Sequence, residues 1–120
     1  MGDRANIKIK QATGDVWFYT HWSGHRLPEI LRTALARRVR WGDSPYLARI
    51  IFCEMIKGGE AGFGISTTVQ DNEYPVLVCD TNTMTVFIET ESGNDDLEYP
   101  TRFGFQDYAS QSEASWGIFK

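Results

Sequence analysis

The chain has 120 residues, of which 42% are hydrophobic and 13% aromatic, and its formal net charge is −4. This length fits one domain over residues 1–120, and the composition supports a packed core and excludes a disordered chain. No segment approaches the roughly 20 apolar residues that a membrane span needs, and no signal-type apolar run opens the chain, so we expect a soluble, cytoplasmic protein.

The charge is divided unevenly along the chain. Residues 1–57 carry ten basic and five acidic side chains, whereas residues 58–120 carry two basic and eleven acidic ones. Two interpretations stay open: the halves neutralise each other within the domain, or a basic face meets an anion while an acidic face repels nucleic acid. The acidic half argues against general DNA or RNA binding, because such binding depends on neutralising phosphates.

The N-terminal region predicts a β-hairpin. Residues 6–10 alternate apolar and polar side chains, residues 11–15 have turn composition, and residues 16–22 are rich in aromatic and β-branched types. This pattern is typical of two short antiparallel strands joined by a turn.

Two consecutive helices are expected next. The first runs from Pro28 to about Arg40, with Leu27 at the N-cap and several arginines in the last turn, where cations oppose the helix dipole. The second covers residues 46–57 and opens on residues 43–45, with Asp43 or Ser44 as N-cap. Its sequence is apolar almost all round, which predicts a place in the core or in a subunit interface.

Residues 62–105 predict further strands. One strand begins within residues 62–67, and two more cover residues 74–79 and 84–91. A short edge strand is expected within residues 100–105. Two glycines in the first of these indicate a bulge or the close approach of another group. The order is ββααβββ with a docked C-terminal tail from residue 106. We therefore predict an α+β fold, in which a mostly antiparallel sheet of about five strands packs against the helical pair.

Both cysteines lie in apolar segments. Cys53 and Cys79 are therefore predicted to be buried, reduced thiols. Neither has a histidine at zinc-binding spacing, so we expect no metal and no cofactor.

The segment of residues 17–28 is the candidate ligand site. If its strand alternates, Trp17, Tyr19 and His21 share one face and offer flat rings for stacking. Leu27 has no oxygen to cap the helix, so the free N–H groups there are met by water, by Ser23 or by an external anion. Basic side chains next to that point favour a phosphate. The predicted ligand-binding residues are Trp17, Tyr19, His21, Trp22, His25 and Arg26.

Two other functions stay open. One is a protein-interaction inhibitor whose acidic residues occupy a basic channel of a host complex. The other is a phosphodiesterase that uses His21 and His25 as general acid and base. No other catalytic group stands out, so a non-enzymatic binder is favoured. The acidic set of the inhibitor hypothesis is Glu89, Glu91, Asp95, Asp96 and Glu98.

Four short runs stand out within about residues 16–80: Tyr19-Thr20-His21-Trp22-Ser23-Gly24, Leu27-Pro28-Glu29, Pro45-Tyr46-Leu47-Ala48-Arg49 and Gly64-Ile65-Ser66. These runs resemble a group of small phage and bacterial proteins. The group has no assigned activity, so the resemblance supplies no catalytic residues. In size and acidity the chain is similar to phage proteins that disarm host immunity, some of which sequester nucleotide second messengers between subunits. The resemblance implies a binder in the host cytoplasm. The second helix or the apolar tail is expected to build a homo-oligomer.

Overall fold

A computed structural model describes residues 2–111 as an α+β fold, with one sheet and three helices. The predicted docking of the tail's apolar end at Trp116 to Phe119 lies outside the described residues. The strands are β1 (Ala5–Lys10), β2 (Val16–Thr20), β3 (Phe63–Ser66), β4 (Val76–Asp80), β5 (Thr85–Glu89) and β6 (Phe103–Gly104). The helices are α1 (Leu27–Ala36), α2 (Ser44–Met55) and α3 (Phe105–Ala109).

The sheet is mixed, with the order β3-β2-β1-β4-β5-β6. The predicted hairpin is confirmed, because β1 and β2 pair antiparallel. The prediction of about five mostly antiparallel strands is only partly right: there are six strands, and β1 pairs parallel with β4. Every residue of β4 is buried. A strand with apolar residues on both faces belongs in the middle of a sheet, and the run Val76-Leu77-Val78 carried that signal.

The first helix is shorter than predicted. It ends at Ala36, and two residues beyond it, Arg38 and Arg40, have φ of 55° and 61°. A residue with positive φ cannot continue a right-handed helix, so these arginines lie in the loop and not in the last turn. The guanidinium of Arg38 lies 5.6 Å from the ring centre of Trp41. This cation–π contact helps to fix the loop between the two helices.

The second helix begins as predicted. The carboxylate of Asp43 accepts a hydrogen bond from the backbone N–H of Tyr46, 3.3 Å away, and so caps the first turn. The helix is not buried on all sides, because Cys53 and Arg49 lie on an exposed face of it. The prediction that Cys53 is buried is therefore wrong. Cys79 is fully buried as predicted, and burial raises the pKa of its thiol.

The main core lies between the sheet and the helices. Three leucines one turn apart on α1, Leu27, Leu31 and Leu35, are fully buried. Each such side chain contributes about 1.5 to 3 kcal/mol relative to an exposed one. The third helix was not predicted. Its Tyr108 is fully buried and donates its hydroxyl to the backbone oxygen of Pro28 at 2.7 Å, which fixes α3 against α1.

Within residues 2–111, the opposite face of the sheet carries no helix. A small apolar group of Val76, Val78 and Phe87 lies there. Next to it, Lys8 and Glu89 form a buried ion pair of 3.0 Å. Within residues 2–111 no helix is both long enough and apolar enough to cross a membrane.

Candidate functional site

The strand β2 presents the candidate aromatics on the helix-free face. Phe18 and Thr20 are 3% and 2% exposed and face the helices, so the predicted alternation holds within β2. Trp17, Tyr19 and His21 point the other way and are half-buried. The sequence left undecided which face of the strand is open. The open face is the one that carries these three rings. Trp22, predicted to share the face of Phe18, lies beyond the strand and is exposed.

Three of the aromatics form one group near the sheet edge. The His21 ring lies 5.7 Å from Tyr19 and 5.9 Å from Trp22, measured between ring centres. Trp22 is 60% exposed. A Cβ on Gly62 would lie 2.5 Å from Trp22, and one on Gly64 would lie 2.3 Å from Tyr19. The two glycines of this segment thus serve close approach to aromatic rings, one of the two alternatives that the sequence left open.

Trp17 lies apart from this group. The ammonium of Lys8 stands 5.5 Å from the centre of its ring. Both line a groove of about 250 Å³ that also contains Glu89. Trp17 therefore belongs with the buried ion pair, and the structure does not bring it together with Trp22.

The start of α1 is capped by the protein itself. A 3₁₀ turn, Gly24–Arg26, precedes the helix, so Arg26 and not Leu27 is the N-cap residue. The Asp3 backbone oxygen accepts from the N–H of Gly24 at 2.7 Å, and its carboxylate accepts from the N–H of His25 at 3.1 Å. The backbone N–H of Arg26 donates to the Ser23 backbone oxygen at 2.9 Å. Ser23 was one of the predicted partners for these donors. The expectation of donors left open for an external anion is not met there.

Asp3 is the centre of a cluster that the sequence did not reveal. Its carboxylate accepts hydrogen bonds from Nδ1 of His25 and from the hydroxyl of Tyr74. Partial burial raises the pKa of Asp3, but these hydrogen bonds outweigh it, and the pKa lies below its ordinary value. Burial together with the bond to Asp3 raises the pKa of Tyr74 to about 12. Gly24 fits closely beneath the cluster, since a Cβ there would lie 2.7 Å from the Asp3 backbone oxygen.

This arrangement fixes the His25 imidazole. Because Nδ1 is turned toward Asp3, the ring presents its Nε2 edge away from the carboxylate. The side chain is 49% exposed. A carboxylate that orients a histidine in this way holds the imidazole ready for hydrogen bonding and proton transfer at Nε2.

A groove of about 550 Å³ runs between the start of α1 and the end of α2. A smaller groove of about 240 Å³ adjoins it and shares Arg26 and Gly58. The larger groove is lined by His25, Arg26, Ile30, Thr33, Glu54 and Lys57, with Glu29 at its side. Of the predicted site residues, His25 and Arg26 line this groove, and the aromatics do not.

The charges in the groove differ in their pairing. The Glu29 carboxylate binds Arg32 in the next turn. Glu54 lies 3.8 Å from Arg37 and 3.3 Å from Lys57. Arg26, in contrast, makes no ion pair with any residue in the range 2–111 and is exposed. It is the cation in this groove whose donors stay available to a ligand.

The chain matches no protein-family model, no curated protein and no solved structure. In the described range, no group of three or more histidine, cysteine, aspartate or glutamate side chains could hold a metal ion.

The acidic set of the inhibitor hypothesis is not uniformly on the surface. Glu89 is 3% exposed and pairs with Lys8 and, at 3.7 Å, with Lys10, so it offers no free charge. Asp95 binds Arg102 at 2.8 Å. Among the others, Glu91 and Glu98 are exposed, and Asp96 is half-buried.

Proposed function

We propose that the protein binds a small anionic ligand in the groove between α1 and α2. The observation that carries this proposal is the unpaired, exposed Arg26 at the junction of two adjoining grooves. A guanidinium in such a position binds phosphate or carboxylate in bidentate fashion. The larger groove, at about 550 Å³, has the size of an ordinary small-molecule site.

The neighbouring side chains support an anion with an apolar part. His25 presents Nε2, which donates to an anion when the ring is an imidazolium, and Lys57 adds an ammonium that it shares with Glu54 at 3.3 Å. Ile30, 6% exposed, contributes a small apolar surface to the lining. A ligand that carries a phosphate together with a flat ring would use both kinds of contact.

A nucleotide is the ligand class that we favour. Ser23 lines the smaller groove, and the next residue back, Trp22, is exposed at the sheet edge. An exposed indole offers a face on which a base can stack. The resemblance to phage proteins that sequester nucleotide signals favours the same class, and a cytoplasmic site of action is part of this proposal.

A thermal-shift screen against mono-, di- and cyclic nucleotides tests the proposal. A ligand at 100 times its dissociation constant stabilises the folded state by about 2.7 kcal/mol. In a domain of this size that corresponds to a shift of several degrees. We expect such a shift with at least one nucleotide and recovery of the intact ligand by chromatography. No shift with any nucleotide would contradict the proposed ligand class.

The pairing of Asp3 with His25 favours a second function, a hydrolase that cleaves a phosphate ester. Here His25 would accept a proton at Nε2 from the water that attacks phosphorus, and Asp3 would stabilise the resulting imidazolium. The ester P–O bond would break, and the leaving alkoxide would take up a proton from solvent. His21 does not line this groove, so the pair of histidines first considered gains no support. Wild type that converts a nucleotide to products, together with a His25→Gln variant that leaves it unaltered, would establish hydrolysis instead of simple binding.

A further inference from the structure

The strand β3 lies at one edge of the sheet and leaves its outer side unpaired within residues 2–111. The backbone N–H of His21 donates to the backbone oxygen of Gly62 at 2.9 Å, in line with the register that pairs Tyr19 with Gly64. Backbone groups of an antiparallel strand alternate between its two sides. Gly64 therefore bonds inward, whereas Ile65 directs both its N–H and its C=O outward.

This edge lacks the charges and prolines that usually prevent strand association. Residues 61–70 contain no charged side chain and no proline. Ile65 is 57% exposed. The opposite edge differs, since β6 has only two residues and follows Pro100 and Arg102. Natural edge strands are protected by charges, prolines or short length. By this criterion β6 is protected and β3 is open.

We propose that β3 pairs antiparallel with β3 of a second copy of this chain, across a two-fold axis at Ile65. Because Ile65 directs its backbone groups outward, Ile65 of each copy would exchange both hydrogen bonds with the other. Phe63 would then face Thr67 of the partner subunit. Residues that face each other across an antiparallel pair lie on the same side of the sheet, so the helices of both copies lie on one side.

A second copy fits this edge better than an unrelated charged segment. The strand is uncharged, so self-pairing brings no like charges opposite each other. The two exposed Ile65 side chains would cover one another. A two-fold contact uses the same surface on both copies and closes at the dimer. This pairing needs no ligand and stands apart from the proposed function.

Sedimentation analysis of the full chain over a wide range of concentrations tests the pairing. We expect a reversible monomer–dimer equilibrium in the wild type and loss of the dimer in Ile65→Lys. The matched control is Ile65→Thr, which keeps a β-branched, uncharged residue and should keep the dimer. Circular dichroism and thermal unfolding of each variant establish that the fold is intact, as the exposure of Ile65 leads us to expect.

A mixing experiment tests the register. Ile65→Lys and Ile65→Glu should each be monomeric, and an equimolar mixture should form dimers, because opposite charges would then meet at the axis. A wild type that stays monomeric at every concentration would overturn the proposal. A dimer that survives Ile65→Lys uses another surface and would overturn it as well. Separate monomers in the mixture would refute the placement of the axis at Ile65.

Discussion

Two cationic side chains illustrate opposite uses of charge in this molecule. Lys8 lies on the helix-free face of the sheet with its side chain 10% exposed, and it is paired with Glu89 at 3.0 Å. Arg26 lies at the start of α1, exposed and without an ion pair in the described chain. A buried charge needs its partner for the fold to be stable, whereas an exposed and unpaired one is free to meet a ligand.

Trp17, in β2, and Trp22, just beyond the end of β2, show the same contrast between a structural and an accessible side chain. Trp17 flanks the buried pair, with the Lys8 ammonium 5.5 Å from its ring centre. Trp22 is 60% exposed at the sheet edge. Trp17 is thus part of the structure around an ion pair, and Trp22 is the ring that a ligand can reach.

The largest effect on stability is expected from breaking the buried pair. The Glu89→Ala variant leaves the Lys8 ammonium in a nearly closed site, where Asp15 at 3.8 Å is a distant partner. Removing one partner of a buried pair costs about 3 to 5 kcal/mol. We expect a loss of this order in the free energy of unfolding, measured by urea denaturation, with nucleotide binding unchanged wherever the fold is populated.

A double variant separates burial of charge from loss of packing. The combination Lys8→Met with Glu89→Leu removes both charges and keeps apolar bulk, so it should recover most of the lost stability. A Glu89→Ala protein as stable as wild type would show that the pair is not buried as described. That result would remove the contrast between Lys8 and Arg26.

A smaller loss is expected at Gly24, beneath the Asp3 cluster. A methyl group there would lie 2.7 Å from the Asp3 backbone oxygen and 2.8 Å from the Tyr74 ring. Overpacking of this kind costs about 1 to 3 kcal/mol. Gly42 is the matched control, since a Cβ there meets nothing within 4 Å.

The Gly24→Ala variant should unfold at lower urea concentration than wild type, and it should also bind the ligand more weakly because His25 is displaced. Gly42→Ala should change the free energy of unfolding by less than about 1 kcal/mol. Equal behaviour of the two variants would contradict the close packing at the start of α1.

The smallest effect is expected from Asp3→Asn, and it depends on pH. The pKa of Asp3 in the folded protein lies below its ordinary value of 3.8. The ionised carboxylate therefore stabilises the fold above pH 3.8, and this contribution disappears as the pH falls through the folded pKa. Wild type should exceed the variant in stability at neutral pH, and the difference should narrow in acid.

The exposed Asp71, which makes no ion pair in the described chain, supplies the control for this titration. The Asp71→Asn variant should follow the wild-type stability curve across the same pH range, measured by urea denaturation at each pH. A difference between wild type and Asp3→Asn that stays constant with pH would show that the carboxylate acts by shape and not by charge.

Local patterns in the sequence predicted most of the elements but not their neighbours in the sheet. The alternation in β1 and β2 and the cap at Asp43 identified a hairpin and a helix start. The parallel pairing of β1 with β4 joins residues about seventy positions apart, and no local pattern encodes it. The helix α3 has only five residues, too few for its apolar periodicity to be distinguished.

The candidate site was predictable to the same extent. His25 and Arg26 stood out because they are neighbours at the start of a helix. Asp3, 22 residues before His25, binds the imidazole, and Tyr74, 49 residues after His25, binds Asp3, so the fold alone brings the three together. Lys57 joins from the end of α2. Trp17 and Tyr19 do not line the groove because alternation along β2 turns them away from the helices, whereas Trp22 follows the end of β2 and is exposed.

The central claim is that Arg26 holds the anionic group of the ligand. The most direct test is a calorimetric titration of the nucleotide with the largest thermal shift into wild type, Arg26→Ala and Arg49→Ala. The last variant is the control, since it removes the same charge from an exposed position on α2 outside the groove. We predict that Arg26→Ala binds at least about tenfold more weakly, a difference of about 1.4 kcal/mol, while Arg49→Ala binds as wild type does. Equal affinity of Arg26→Ala and wild type would contradict the account.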